Sequence, residues 1–167
     1  LEPSSAASDV YKRQTIFPIP LAESCSWDLE LMQKSARVAA TEASADGLHW
    51  TFAPMVDISR DARWGRVMEG AGEDPFLGSL VAKARVSGFQ GENLSDTNTI
   101  IGCAKHFAGY GFSEAGRDYN TSDFNEYTLH NSIMPPFKAA VDAGVRTFMN
   151  SFNTIDEIPA TGHTNIQ

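Results

Sequence analysis

Cysteine, basic charge and long apolar runs are all scarce in this chain of 167 residues. The only cysteines are Cys25 and Cys103, too few and too far apart for a disulfide framework or a paired-cysteine metal or redox motif. Cys103 lies in an apolar run and is expected to be a buried thiol. The histidines, His49, His106, His130 and His163, lack metal-ligand spacing, so no metal is expected. Lys and Arg number 13 against 21 Asp and Glu, a net charge of −8. That balance repels phosphates and anionic lipid, which argues against nucleic acid or a membrane surface as partner. No apolar run approaches the ~20 residues of a membrane-spanning helix. With 42% hydrophobic residues, the composition is that of an ordinary globular domain, and the length fits one.

The first residues look foreign. Ser4 to Gln14 resembles the translation of a transposase adapter used in sequencing libraries. Residues 1–14 are therefore expected to be non-native, with the natural sequence beginning near Thr15, and they are set aside from fold reasoning. No signal-peptide pattern is visible at such a start.

Phe17-Pro18-Ile19-Pro20 reads as extended, because each proline disfavours helix before it. A helix follows, capped by Ser26 or Asp28. Leu29, Met32, Ala36, Ala39, Ala40 and Ala43 recur along it at helical spacing, and Gly47 suits its stop. Its small alanine face predicts close packing on a sheet. Leu48 to Val56 is a strand candidate. Asp74-Pro75 is a strong helix start, with Leu77, Leu80, Val81 and Ala84 on one face and Gly91 at the end. Thr99 to Ala104 reads as a buried strand running into Lys105-His106-Phe107. Helical character resumes near Asn125, is interrupted by Pro135-Pro136, and continues to about Ala143. Val145 to Asn150 is the next strand, followed by Ser151 to Gly162, to which no element is assigned. Strand, loop and helix thus recur, which predicts a parallel α/β fold with right-handed crossovers, either a barrel or a doubly wound sheet.

The connection from Asp57 to Glu73 is far longer than the 2–6 residues usual in α/β units, and its Trp and mixed charges argue against disorder. In parallel α/β folds, loops at the C-terminal ends of strands carry the chemistry. Arg60, Asp61, Arg63 and Glu69 have the composition of a self-paired charged loop. Arg66, beside Trp64 and Gly65, is a plausible sugar-facing arrangement: a guanidinium fork for vicinal hydroxyls and an indole face for a pyranose. Asp57 is expected to anchor the loop through backbone hydrogen bonds. Lys105-His106 is the sharpest constellation, two ionisable residues ending an apolar strand, with the plain alternative that the strand simply reaches solvent. Gly70-Ala71-Gly72 before a helix is a weak phosphate-loop signal, and Glu73 and Asp74 would repel a phosphate there.

Five ordered motifs carry a resemblance. Ala53-Pro54-Met55-Val56-Asp57, Arg63-Trp64-Gly65-Arg66, Gly72-Glu73-Asp74-Pro75, Lys105-His106-Phe107 and Asn150-Ser151-Phe152-Asn153 resemble the N-terminal barrel domain of glycoside hydrolase family 3, nearest to bacterial periplasmic β-glucosidases. The resemblance covers Thr15 to Gly162. It implies a (β/α)₈ TIM-type barrel, of which residues 15–167 form about half, with parallel strands and outer helices. It implies cofactor-free, retaining hydrolysis of terminal non-reducing β-D-glucosyl residues. It also implies a periplasmic or extracellular location, and partners limited to a β-linked glucoside, the rest of the barrel and a second domain.

Residue by residue, the resemblance makes Arg66, Lys105 and His106 ligands of the non-reducing sugar, with Met149 lining the same subsite. It further implies non-proline cis peptides at Lys105-His106 and Phe107-Ala108. Retaining hydrolysis needs two carboxyl groups about 5–5.5 Å apart. The family's nucleophilic aspartate belongs to a later Ser-Asp-Trp/His motif and its acid/base glutamate to a second domain. No catalytic residue is therefore assigned here, and the fragment alone is expected to be inactive. A sugar-binding aspartate should precede Thr15; Asp9 sits near that place, but within the adapter-like stretch. One branch of the family prefers β-N-acetylglucosaminides and uses a histidine in the loop after Lys-His-Phe. Here Ser113 to Thr121 contains none. The competing reading is a non-catalytic sugar-binding or structural module of the same fold. A doubly wound nucleotide-binding protein is a weaker third.

Overall fold

The computed structural model describes residues 15–166. The adapter-like stretch and Asp9 lie outside the described residues. Thr15–Ile19 is extended, as its prolines require, and then helix α1 (Pro20–Ser24) forms with Pro20 in its first turn. Helix α2 (Leu29–Ala45) is capped by Asp28, whose side chain accepts from the Leu31 N–H at 2.9 Å. Helix α3 (Pro75–Gln90) is capped by Asp74, which accepts from Leu77 N–H at 2.7 Å, and it ends at Gly91 with φ 61°. Helix α4 (Met134–Asp142) closes the set.

Pro135 and Pro136 do not interrupt the helix as the sequence predicts. Asn125 caps a single turn at Glu126–Thr128, a wide π turn spans Leu129–Ile133, and this runs straight into α4. Pro135 and Pro136 then fall in the first turn of α4, where a missing N–H is least costly.

Strand β1 (Cys103–Phe107) pairs in parallel with β2 (Thr147–Asn150), Cys103 opposite Thr147 and Lys105 opposite Met149. On the other side of β1 lies the segment expected as a strand from Leu48 to Val56. It is extended and parallel, yet it makes only isolated bridges, Trp50 to Ile101 and Met55 to Lys105. Pro54 has no N–H to donate, so the ladder is interrupted where regular pairing would continue. Backbone bonds still tie the two segments together on either side of Pro54, among them Thr51 N–H to Ile101 O at 3.0 Å, Cys103 N–H to Ala53 O at 2.8 Å and Val56 N–H to Lys105 O at 2.9 Å. Three parallel segments therefore lie side by side with β1 in the middle. Strands β3 (Thr154–Ile155) and β4 (Ile158–Pro159) form a small antiparallel hairpin where no regular structure was expected.

The helices cover one side of this layer. Ala82 and Val86 of α3 and Phe137 and Ala140 of α4 pack with Val56, Ala104 and Ala108 in the main core. The alanine face of α2 meets α3 as well as the start of the sheet: Ala36 and Ala40 cluster with Phe89 and Ile100. The two helices approach so closely that a Cβ on Gly88 would lie 2.5 Å from the Ala36 Cβ. The expected packing on the sheet is met at Ile100 and Ala53, and close packing against α3 is added to it. Cys103 is buried, as expected. Trp50, Phe52 and Phe148, on the outer two of the three parallel segments, remain 50%, 51% and 41% exposed. No described helix is long and apolar enough to cross a membrane.

Candidate functional site

The C-terminal ends of the three parallel segments deliver Asp57, Lys105-His106 and Met149 to one rim, and the loop after Asp57 brings Arg66 back over it. His106 does not reach solvent, as a plain strand end would; it is 1% exposed. Its backbone N–H donates to Asp57 Oδ2 at 3.0 Å, and its ring Nδ1 lies 2.8 Å from the same oxygen. The tautomer carrying its proton on Nδ1 satisfies that contact and orients the ring, as a carboxylate partner does for functional histidines. Asp57 was expected to anchor its own loop. It is instead committed to β1, because full burial beside the His106 amide offers it two donors there.

Glu69 ties the cations together. Arg66 donates in a fork, Nε to Oε1 at 2.7 Å and Nη2 to Oε2 at 2.9 Å, and Lys105 Nζ lies 3.5 Å from Oε2. Burial opposes ionisation of Glu69, but the Arg66 bonds and charge outweigh it, helped by Lys105 and His106, and hold its carboxyl below the ordinary value. Burial likewise opposes the Arg66 charge and is outweighed by Glu69, so that guanidinium stays protonated. Lys105 is pushed the other way: burial lowers its pKa, Arg66 adds to the effect, and Glu69 and Asp57 only partly offset it. Met149, opposite Lys105 in the register and half-buried, shares its position on the sheet.

Aromatic rings form the floor. Tyr110 is fully buried, its ring 5.5 Å beneath the Arg66 guanidinium and 5.0 Å from the His106 ring. Its hydroxyl lacks a hydrogen bond of ordinary geometry. Burial, and then the nearby Asp118 carboxylate, raise its pKa above that of a free phenol. Phe152, half exposed, completes the set at 5.4 Å from His106.

Trp64 is where the sequence reading fails. A sugar-facing indole would be exposed, but Trp64 is 1% exposed, packed with Met55 and Tyr110, and its Nε1–H donates to Asp118 Oδ1 at 2.9 Å. The loop uses it as an internal plug. The self-paired loop is only half right: Arg63 pairs with Asp61 on the surface, holding that carboxyl down to about 2 through its hydrogen bonds. Arg60 lies over the Phe112 ring at 5.4 Å, and Glu69 belongs to the site. In the sequence Glu69 reads only as a loop ion-pair partner, although Arg66-x-x-Glu69, with Arg66 at the N-cap of the 3₁₀ turn Val67–Glu69, is a usable signal, since such spacing puts both on one face. Phe152 falls within the Asn150-Ser151-Phe152-Asn153 motif but has no role assigned from it, and Tyr110 has none either. The faint phosphate loop dissolves: Gly72 O accepts from Ser59 N–H at 3.0 Å, and the Asp74 carboxylate occupies the N-terminus of α3.

The peptide bonds Lys105-His106 and Phe107-Ala108 are both cis, as is Ala53-Pro54. Arg66, Lys105, His106 and Met149, far apart in sequence, stand at one rim. The carboxylates nearest to them are all engaged: Asp57 by His106, Glu69 by Arg66 and Lys105, Asp118 by Trp64. Among the described residues no group of three or more His, Cys, Asp or Glu side chains is placed to hold a metal ion.

Against known proteins, the profile of the glycosyl hydrolase family 3 N-terminal domain matches residues 6–166. The chain belongs to that family. A periplasmic β-glucosidase of Salmonella typhimurium is 44% identical over 152 residues, covering 91% of this chain and 20% of that protein. A β-xylosidase of Formosa agariphila is 38% identical over 160 residues, covering 93% and 22%. The crystal structure of a β-glucosidase from Listeria innocua superposes with a TM-score of 0.86 at 49% identity, over 91% of this chain and 21% of that one. The family 3 chain therefore spans about a fifth of the length of these relatives. Its fold, parallel strands and outer helices in a partial α/β arrangement, is the one expected from the sequence.

Proposed function

We propose that this chain is the glycone-binding part of a retaining β-glucosidase-like glycoside hydrolase. The enzyme removes terminal non-reducing β-D-glucosyl residues without a cofactor. The observation that carries the reading is the meeting of Arg66, Lys105 and His106 at one strand-end rim, locked by Glu69 and Asp57. Two cationic donors and an oriented imidazole suit the hydroxyls of a pyranose, and the half-exposed Phe152 ring beside His106 suits its C–H face. Met149 lines the same subsite. Residues 15–167 form about half of an eight-stranded barrel, residues 1–14 are non-native, and the complete protein works in the periplasm or outside the cell. The nucleophilic aspartate and acid/base glutamate lie outside these residues, which accords with the engagement of every nearby carboxylate. The loop from Ser113 to Thr121 has no histidine to donate a proton, which favours unsubstituted glucosides over N-acetylglucosaminides.

The test uses the enzyme from the complete reading frame that contains these residues, assayed on matched nitrophenyl β-glucoside, β-xyloside and β-N-acetylglucosaminide. The highest kcat/KM is expected on the glucoside, and Lys105→Ala should raise KM there. Higher efficiency on the acetylated sugar overturns the substrate assignment. Turnover by residues 15–167 alone overturns the placement of the carboxyl groups. Binding of glucoside without turnover by the complete protein identifies a sugar-binding module instead.

A further inference from the structure

One carboxylate stands between the two cations of the candidate site. Glu69 accepts both arms of the Arg66 fork, at 2.7 and 2.9 Å, and its second oxygen also faces Lys105 Nζ at 3.5 Å. It does not resemble a surface ion pair. The side chains of Arg66 and Lys105 are 22% and 13% exposed and that of Glu69 38%, and the carboxylate joins cations carried by two different chain segments. It is equally unsuited to donate a proton, since both oxygens already receive N–H donors and the surrounding cations keep it ionised.

We propose that Glu69 is a positioning residue that fixes the Arg66 guanidinium and the Lys105 ammonium at one spacing for adjacent hydroxyls of the bound sugar. The inference rests on the sugar-binding reading above and names how that subsite is held in shape. A planar fork anchored at two atoms leaves its remaining N–H donors aimed in one direction. An ammonium on a four-carbon stem has no such constraint, so the fixed charge beside it is what selects one position.

Glu69 also sets the charge of Lys105. Around that ammonium stand Arg66 and Glu69 from the loop, Asp57 and His106 at the strand ends, and Cys103 on the same strand. Arg85 of α3 lines the same small cavity and is itself paired with Glu23 of α1. Removing the Glu69 charge leaves Lys105 half-buried beside an unneutralised guanidinium, where burial and repulsion both favour the neutral amine.

The experiment compares the complete protein with Glu69→Gln and Glu69→Asp. Acylation of Lys105 as a function of pH, followed by mass spectrometry, reads its protonation without requiring turnover. Glu69→Gln is expected to move the midpoint down by about one pH unit or more. It should also raise KM for the aryl β-glucoside roughly 10-fold, with kcat changed less. Glu69→Asp keeps the charge but withdraws it from Lys105, so it should shift the midpoint in the same direction by less, and it serves where the glutamine variant does not fold. An unchanged Lys105 midpoint, or an unchanged KM in a protein that cleaves glucosides, overturns the role of Glu69. A wild-type protein that neither binds nor cleaves glucosides overturns the sugar-binding reading, and with it the ligand named here, even if the midpoint shifts.

Discussion

Removing the Asp57 carboxylate tests how the rim is held. Oδ2 of this buried side chain takes the His106 backbone N–H at 3.0 Å and faces His106 Nδ1 at 2.8 Å, while Oδ1 has no partner. Hydrogen bonds to a charged group contribute about 1.5–3 kcal/mol each. Breaking a buried pair by removing one partner costs about 3–5 kcal/mol, because the other is left unsatisfied. Asp57→Ala should therefore lower the free energy of opening β1 by about 3 kcal/mol or more, which is roughly a 100-fold faster amide exchange across Cys103–Phe107. Asp57→Asn is milder. Its carbonyl oxygen can replace Oδ2 in both contacts, losing only the charge, so about 1–2 kcal/mol is expected. Hydrogen exchange of the complete protein, resolved to the peptide carrying residues 103–107, measures both. Asp61→Ala, which removes a solvent-exposed pair with Arg63, is the control and should leave that peptide unchanged. Exchange in Asp57→Ala within about threefold of wild type, under 1 kcal/mol, would refute the reasoning.

Gly111→Ala should destabilise strongly, because its Cβ would lie 2.1 Å from the Ile58 carbonyl oxygen and would push apart the Arg60 N–H to Gly111 O bond of 3.0 Å; Gly65→Ala, with open space around it, should not, and equal thermal shifts for the two would contradict the packing. The Glu69 carboxyl has a folded pKa below its ordinary value of 4.5, so its stabilising contribution is complete above that value and is lost as pH falls through the lower one. Protection of residues 66–69, the exchange rate relative to its intrinsic value at each pH, should accordingly fall only on acidification below about pH 4.5, and a fall already at pH 6 would sink that account. Residues 15–167 expressed alone should bind hydrophobic dyes and associate, since Trp50, Phe52 and Phe148 are exposed on the two outer segments of the parallel layer; a monomeric, cooperative melt would contradict this.

Helix boundaries were legible wherever one residue supplies the signal. Asp28 and Asp74 each cap through their own carboxylate, and Gly91 takes a positive φ at the end of α3. What was missed depended on backbone choices that the usual residues do not mark. The β3–β4 hairpin turns through Asp156 and Glu157, both at positive φ, where Asn-Gly or Asp-Gly would have announced it. The Leu48–Val56 strand was found but its regularity overrated, because one proline removes a donor from a run that otherwise has the composition of a strand. The double proline in the first turn of α4 reads as a break, and only the wide π turn ahead of it shows how the helix absorbs two missing donors.

The site divides along a different line. Lys105-His106 stood out because charge at the end of an apolar run has a cost that only a partner can offset. The partners themselves, Asp57 across 49 positions and Glu69 on another loop, are a matter of tertiary approach. Trp64 shows why spacing misleads here. Beside Arg66 it has the look of a sugar platform, yet whether an indole faces out or in depends on who receives its N–H. That acceptor, Asp118, lies 54 positions away in a loop with no pattern of its own. Once the indole is turned inward, it packs edge-on to Tyr110 at 5.2 Å, and Tyr110 in turn lies beneath Arg66 and beside His106. The buried tryptophan therefore reaches the candidate subsite indirectly, by fixing the ring on which the guanidinium rests. The same residue that fails as a ligand accounts for how a seventeen-residue connection (57–73) can hold Arg66 in one place.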